Sequence, residues 1–295
     1  VKQVLITGGN GQLGTELKRF AWPDDWQPML IDIDELDLRD PDAIAAMVAS
    51  NRWAAVINAG AYTAVDQAES NVVPAWEVNA LAPAALASAC QAADIPILHV
   101  STDYVFDGAR DGAWEPEDTP GPLSIYGASK LGGEIAVRTS ATRHVIVRTA
   151  WVVSAHGNNF VKTMLKLATD RDLLNVVDDQ RGAPTSAVDL AAALATITMR
   201  LVDDADAPVG TYHFSNSGAT TWARFAREIF AQSAARGGPS ATVSAIRTID
   251  FPTAAVRPAN SLLSHAAILR DYKIAPRPWQ DALAEILDEL IGTPQ

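Results

Sequence analysis

The stretch V-L-I-T-G-G-N-G-Q-L-G, residues 4–14, decides how the rest of the chain is read. Four apolar or β-branched residues predict a buried strand, and glycines follow it at positions 8, 11 and 14. Gly8 permits a tight reversal, Gly11 lets backbone approach an anion, and Gly14 lets the first helical turn pack closely on the sheet. The helix that starts here has N–H groups with no intrahelical acceptor, and these suit a pyrophosphate. A glycine triplet alone is a weak signal. Set between a strand and a helix, it predicts a dinucleotide cradle.

Outward from the cradle, short apolar runs alternate with helical patterns, as βαβ units and a parallel sheet require. Strands are expected at 4–7, 28–32, 54–60, 96–102 and 144–151, and helices at 11–20, 41–50, 73–93 and 126–138. Beyond about residue 150 the alternation fades into amphipathic helices. One apolar helix, AVDLAAALATITMRL, and a strand, GTYHFS, read as a return to the first domain. The expected fold is α/β: a Rossmann-type doubly wound parallel sheet with a smaller C-terminal α/β substrate lobe. The sheet domain takes 1–150 plus about 187–215, and the lobe about 151–186 and 216–295. Two longer loops, 107–124 and 178–185, are candidates for function.

Composition narrows the class. The 295 residues are 48% hydrophobic and carry a formal net charge of −12. That balance argues against nucleic acid as the main partner, which needs a basic footprint. No apolar run is long enough to span a bilayer, and the opening residues show no secretory pattern. The single cysteine, Cys90, fits a reducing cytoplasm. No Cys/His spacing suggests zinc. The expected partner is a small molecule, with neither nucleic acid nor membrane.

Asp32 closes the second apolar run, where a carboxylate accepts hydrogen bonds from an adenosine ribose and repels a 2′-phosphate. Other acids and Arg39 crowd the same stretch, so NADH and NADPH both stay open. The fourth run ends in Ser101, Thr102 and Asp103, at the sheet edge that faces a ligand crevice. Tyr126 and Lys130, in S-I-Y-G-A-S-K, share one face of the following helix. A Y-x-x-x-K pair by itself reads as a packed ring beside a solvated lysine. Beside a dinucleotide cradle it reads as a proton donor with a partner: the ammonium and the positive nicotinamide of the oxidised cofactor are expected to lower the phenol pKa, and Tyr126 protonates a carbonyl oxygen as hydride arrives.

These motifs, together with N-A-G-A-Y-T and S-T-D-Y-V-F in the same order, resemble the extended short-chain dehydrogenase/reductase family, in its branch that reduces dTDP-linked keto sugars. Further matches run through A-Y-T-A-V-D-Q-A-E, R-T-A-W-V, G-N-N-F-V-K-T-M-L, D-Q-R-G-A-P-T and R-P-A-N-S-L-L, and so cover nearly the whole chain. The resemblance implies reduction of the 4-keto group of a dTDP-linked 4-dehydro-6-deoxy sugar by NADPH or NADH. It implies Gly11, Gln12 and Leu13 at the cofactor phosphates, Asp32, Asp37 and Leu38 at the adenosine end, and Ala61, Tyr62 and Thr63 along the trough. Tyr126, Lys130 and Thr102 are implied as catalytic, with Thr102, Asp103 and Trp151 contacting the substrate.

Each residue also has a plainer reading. Asp103 suits a loop bridge, and Trp151 a core ring. Asn79 suits either local bonding or support of Lys130 through water. His99 reads as a satisfied core histidine. Lys162, Arg181 and Arg257 suit a diphosphate or solvent, with Arg257 the preferred substrate contact. Some relatives hold magnesium between two subunits; Glu16 and Glu289 match two of those positions, while Val188, beside Asp189, breaks the third. The expectation is no metal, with Glu16 a surface residue that becomes a ligand only in a magnesium-bridged dimer, and a chain that is a monomer or homodimer. Competing functions are a 4,6-dehydratase, whose Asp-Glu pair is absent at Asp103–Tyr104, a 4-epimerase, and a non-catalytic NADPH-binding regulatory subunit.

Overall fold

Both faces of the central sheet are covered, so its inner strands carry apolar side chains on both faces. β1 (Lys2–Thr7), β2 (Trp26–Ile31), β3 (Trp53–Asn58), β4 (Ile97–Thr102), β5 (His144–Thr149) and the strand Gly210–His213 pair in parallel. Across the sheet they run Gly210–His213, β5, β4, β3, β1, β2. In this computed structural model, which describes residues 1–294, successive side chains of one run enter opposite cores. Val4, Ile6, Ile57, Leu98, Val145 and Val147 pack under α1 (Gln12–Arg19) and the helix Ala187–Asp203. Leu5, Val56, Ile97 and Ile146 pack under α2 (Pro41–Ala49) and the helices Ala82–Ala92 and Ile125–Ser140.

The chain steps outward from β1 to β2, then crosses to β3 and continues the other way. The reversal opens a crevice beyond the carboxyl ends of β1 and β3, the usual place for a ligand in a doubly wound sheet. The helix Ala187–Asp203 packs in the core under one face of the sheet, and the strand Gly210–His213 pairs with β5 at its edge. A second core lies outside it, where the helices Phe160–Ala168, Trp222–Ala234 and Trp279–Leu290 cover the parallel pair Leu173–Val177 and Thr242–Ile246.

Two expected elements differ in detail. The fifth run was expected to reach residue 151 but ends at Thr149, because Trp151 adopts φ = 49°, which no strand accommodates. The helix expected over 73–93 contains one π-turn, Glu77–Leu81, between Val72–Trp76 and Ala82–Ala92. Pro83 has no N–H to return to the Asn79 carbonyl, which favours the wider turn. That carbonyl lies so near Gly133 of the neighbouring helix that a Cβ there would sit 2.1 Å from it. Among the described residues, no helix is long and apolar enough to cross a membrane.

Candidate active site

A cavity of about 810 Å³ fills the crevice. Gly8 turns the chain out of β1 with φ = 73°, and a Cβ on it would lie 2.8 Å from the Gly60 backbone. Gly14 faces the same turn from inside α1, where a Cβ would lie 2.2 Å from the Gly8 carbonyl oxygen. Gly11 precedes α1 without any side-chain cap, so the N–H groups of the first turn have no side-chain acceptor there. A dinucleotide pyrophosphate fits this bare, positively polarised backbone. Gly14→Ala is expected to push the turn open and weaken dinucleotide affinity about tenfold or more, since overpacking of this kind costs about 1–3 kcal/mol; titration calorimetry with NADH would measure it.

Gln12, Leu13, Asp32, Asp37 and Leu38 all line the cavity. Asp32 is held in place: its Oδ2 accepts the Asn10 N–H at 2.7 Å, and its Oδ1 accepts the Ile33 N–H at 2.8 Å. Asp37 is paired with Arg39 at 2.6 Å, and hydrogen bonds from that guanidinium pull its carboxyl down to about 2.

Ala61, Tyr62 and Thr63 form one wall. Asn79 fixes this wall by local bonding. Its side chain accepts the Tyr62 N–H at 2.9 Å, donates to the Tyr62 carbonyl at 3.1 Å, and donates to the Ser129 hydroxyl at 3.0 Å. The π-turn places this amide between the trough and the helix that carries Tyr126.

At the reaction end, Thr102, Asp103, Tyr126 and Lys130 line the same cavity. Tyr126 and Thr102 line the same end of the cavity, and the Thr102 hydroxyl donates to Asp103 at 3.1 Å. Burial pushes Tyr126 up to about 12, against the pull of Thr102. The depression expected from a neighbouring ammonium is therefore absent from the free chain. The Lys130 amine instead donates to the Val100 carbonyl at 2.6 Å, and burial lowers it to about 8 while Glu134 pulls the other way. Burial also raises Asp103 to about 6, opposed by the Ser261 and Thr102 hydroxyls. The Asp103 Oδ2 is buried without a well-formed hydrogen bond, an acceptor suited to a ligand hydroxyl.

Trp151 lines the cavity and also stacks on Trp222, with ring centroids 3.6 Å apart, so its two readings coincide. Arg257 does not line the cavity. Its guanidinium is paired with Asp66 at 2.7 and 3.0 Å. Lys162 donates to the Ala155 carbonyl, and Arg181 lies on a separate hollow with Asp178 and Arg224. His99 is fully buried and meets Asn58 through Nδ1, but its Nε2 has no partner among the described residues.

Glu16 is buried, not on the surface as expected, and burial raises its pKa. Arg19, His156 and Glu289 surround it, while Asp189 is engaged by Asn216 and Arg277. Among the described residues, no three acidic, His or Cys side chains are grouped to hold a metal.

Sequence reasoning missed what lies beneath the site. Glu134, one helical turn past Lys130, accepts Arg148 at 2.7 and 2.8 Å and the Ser101 hydroxyl at 2.6 Å. Its signal was present as the third member of a Tyr126–Lys130–Glu134 row at helical spacing.

A switch-point cradle feeding a Thr-Tyr-Lys face defines a short-chain dehydrogenase/reductase of the extended, two-lobed kind. Comparison with known proteins narrows this. A family model described as "RmlD substrate binding domain" matches residues 2–291. The dTDP-4-dehydrorhamnose reductase of Aggregatibacter actinomycetemcomitans is 41% identical over 289 residues, which cover 96% of this chain and 98% of the relative. A solved dTDP-4-dehydrorhamnose reductase from Clostridium acetobutylicum superposes with a TM-score of 0.91 at 36% identity, covering 98% of this chain and 99% of the other. That of Bacillus anthracis, solved in complex with NADP, gives 0.90 at 35% identity with the same coverage. The chain belongs to the dTDP-4-dehydrorhamnose reductase family.

Proposed function

We propose that this chain reduces the 4-keto group of dTDP-4-dehydro-L-rhamnose to the alcohol of dTDP-L-rhamnose, with NADH or NADPH as the reductant. The observation that carries the reading is the convergence of Thr102, Tyr126 and Lys130 on one end of the cavity, in a chain that belongs to this family over nearly its whole length. A bound reduced nicotinamide supplies the hydride. The chain's own residues handle the oxygen. Thr102 positions it, and Tyr126 gives it the phenolic proton as negative charge develops.

A phenol near 12 is fully protonated at neutral pH, so the donor is loaded before the substrate arrives. Lys130, near 8, is mostly cationic at the same pH and stabilises the phenolate that remains. Asp103 accepts a sugar hydroxyl, and the Trp151–Trp222 stack flanks the substrate side of the cavity. The missing Asp-Glu pair at Asp103–Tyr104 speaks against dehydration, which needs an acid and a base at adjacent carbons.

The test is the loss of reduced-cofactor absorbance when the purified chain meets the 4-keto precursor made in situ from dTDP-glucose, with dTDP-rhamnose identified as product. Cofactor binding without any consumption would move the reading to another sugar nucleotide or to a regulatory role.

A further inference from the structure

The adenosine end of the cavity holds an arrangement that the reaction does not use. Between 32 and 37 stand four carboxylates, Asp32, Asp34, Glu35 and Asp37. Among the described residues lining this end, Arg39 is the one cation, and it is clamped on Asp37 through Nε at 3.0 Å and Nη2 at 2.6 Å. Asp32 cannot turn aside, because two backbone N–H groups hold its oxygens.

We propose that the Asp37–Arg39 pair sets this chain's choice between NADH and NADPH. With the clamp closed, the adenosine end is net negative and accepts a free ribose hydroxyl. A 2′-phosphate brings up to about two further negative charges, and binds only by drawing Arg39 off Asp37 to form its own charge-assisted hydrogen bonds. Both members of the pair are about half exposed, at 50% and 40%, so the clamp is weak and the preference for NADH modest. The proposal rests on the dinucleotide reading of the cavity.

Titration calorimetry of NADH and NADPH, with 5′-AMP and 2′,5′-ADP as fragments, tests it without turnover. The unaltered chain is expected to hold NADH more tightly. Asp37→Asn, which keeps the side-chain shape, should shift the affinity ratio toward NADPH by about fivefold, the size of an exposed ion pair. Arg39→Gln should shift it the other way by roughly tenfold, as loss of a charged hydrogen bond does, with NADH affinity little changed. Tighter binding of NADPH by the unaltered chain, or a ratio that neither variant moves, would overturn the proposal. Failure of either dinucleotide to bind at all would remove the cofactor reading as well, and so marks a different failure.

Discussion

Tyr126→Phe is expected to lower kcat by about 10²–10⁴-fold, the usual contribution of a general acid, while leaving dinucleotide affinity close to that of the unaltered chain. The half-buried phenol ring lines the cavity beside the buried Thr102, and phenylalanine fills the same volume. The ring's edge-to-face contact with Tyr104, at 5.4 Å between centroids, needs no hydroxyl. Only the proton is removed. The pH profile separates this account from a loss of packing. Tyr126 stays protonated up to about 12, so in the unaltered enzyme the alkaline fall in kcat belongs to Lys130, which loses its charge as pH rises through about 8. The variant has no phenolate for Lys130 to stabilise, so its residual rate should be flat across that range. Near-normal turnover, or an unchanged alkaline limb, would defeat the assignment of Tyr126 as proton donor.

The fold was legible because its signals are local. A strand, a glycine turn and a helix follow one another within residues 2–19, and the period-two split of each apolar run between two cores is forced by the pleat. Residues that act through the backbone or stand at strand ends were legible for the same reason. What failed was pairing across long separations. Arg257 and Asp66 are 191 positions apart, and nothing in R-P-A-N says that its guanidinium is already taken. Asn79 read equally as a local bond or as support of Lys130 through water, and the π-turn that sets its amide on Tyr62 is not visible in the sequence. Burial is also a property of the whole fold, and it is what raises the Tyr126 phenol. Glu16 sits on a short helix whose sequence looks like a surface turn, yet Arg19, His156 and Glu289 close over it.

The deepest of these long-range pairs gives the largest expected loss of stability. Arg148→Met should cost about 3–5 kcal/mol in urea unfolding at neutral pH, as breaking a buried ion pair from one side does. Arg148 is 1% exposed and Glu134 fully buried, and two hydrogen bonds join them. Burial alone would raise the Glu134 carboxyl; the bonds and charge of Arg148, helped by Ser101 and Arg138, hold it below its usual value instead. A carboxylate with a depressed pKa contributes stability that is present above its unfolded pKa and is lost as pH falls through the folded one. With Arg148 gone, burial wins, and the folded pKa moves above the unfolded value. The variant then gains stability as Glu134 takes up a proton, so the difference from the unaltered chain should shrink between pH 7 and pH 5. Leucine at 134 together with methionine at 148 removes both charges and should recover much of the loss. The same pair braces Ser101 against its neighbour in the sheet, since Ser101 lies opposite Arg148 and Thr102 opposite Thr149. Loosening that brace displaces Thr102 from Tyr126, so a folded Arg148→Met protein should lose kcat with little change in dinucleotide affinity. A loss of stability below about 1 kcal/mol, the scale of an exposed pair, would mean that Glu134 is reached by water and that the brace is not what holds the reaction end together.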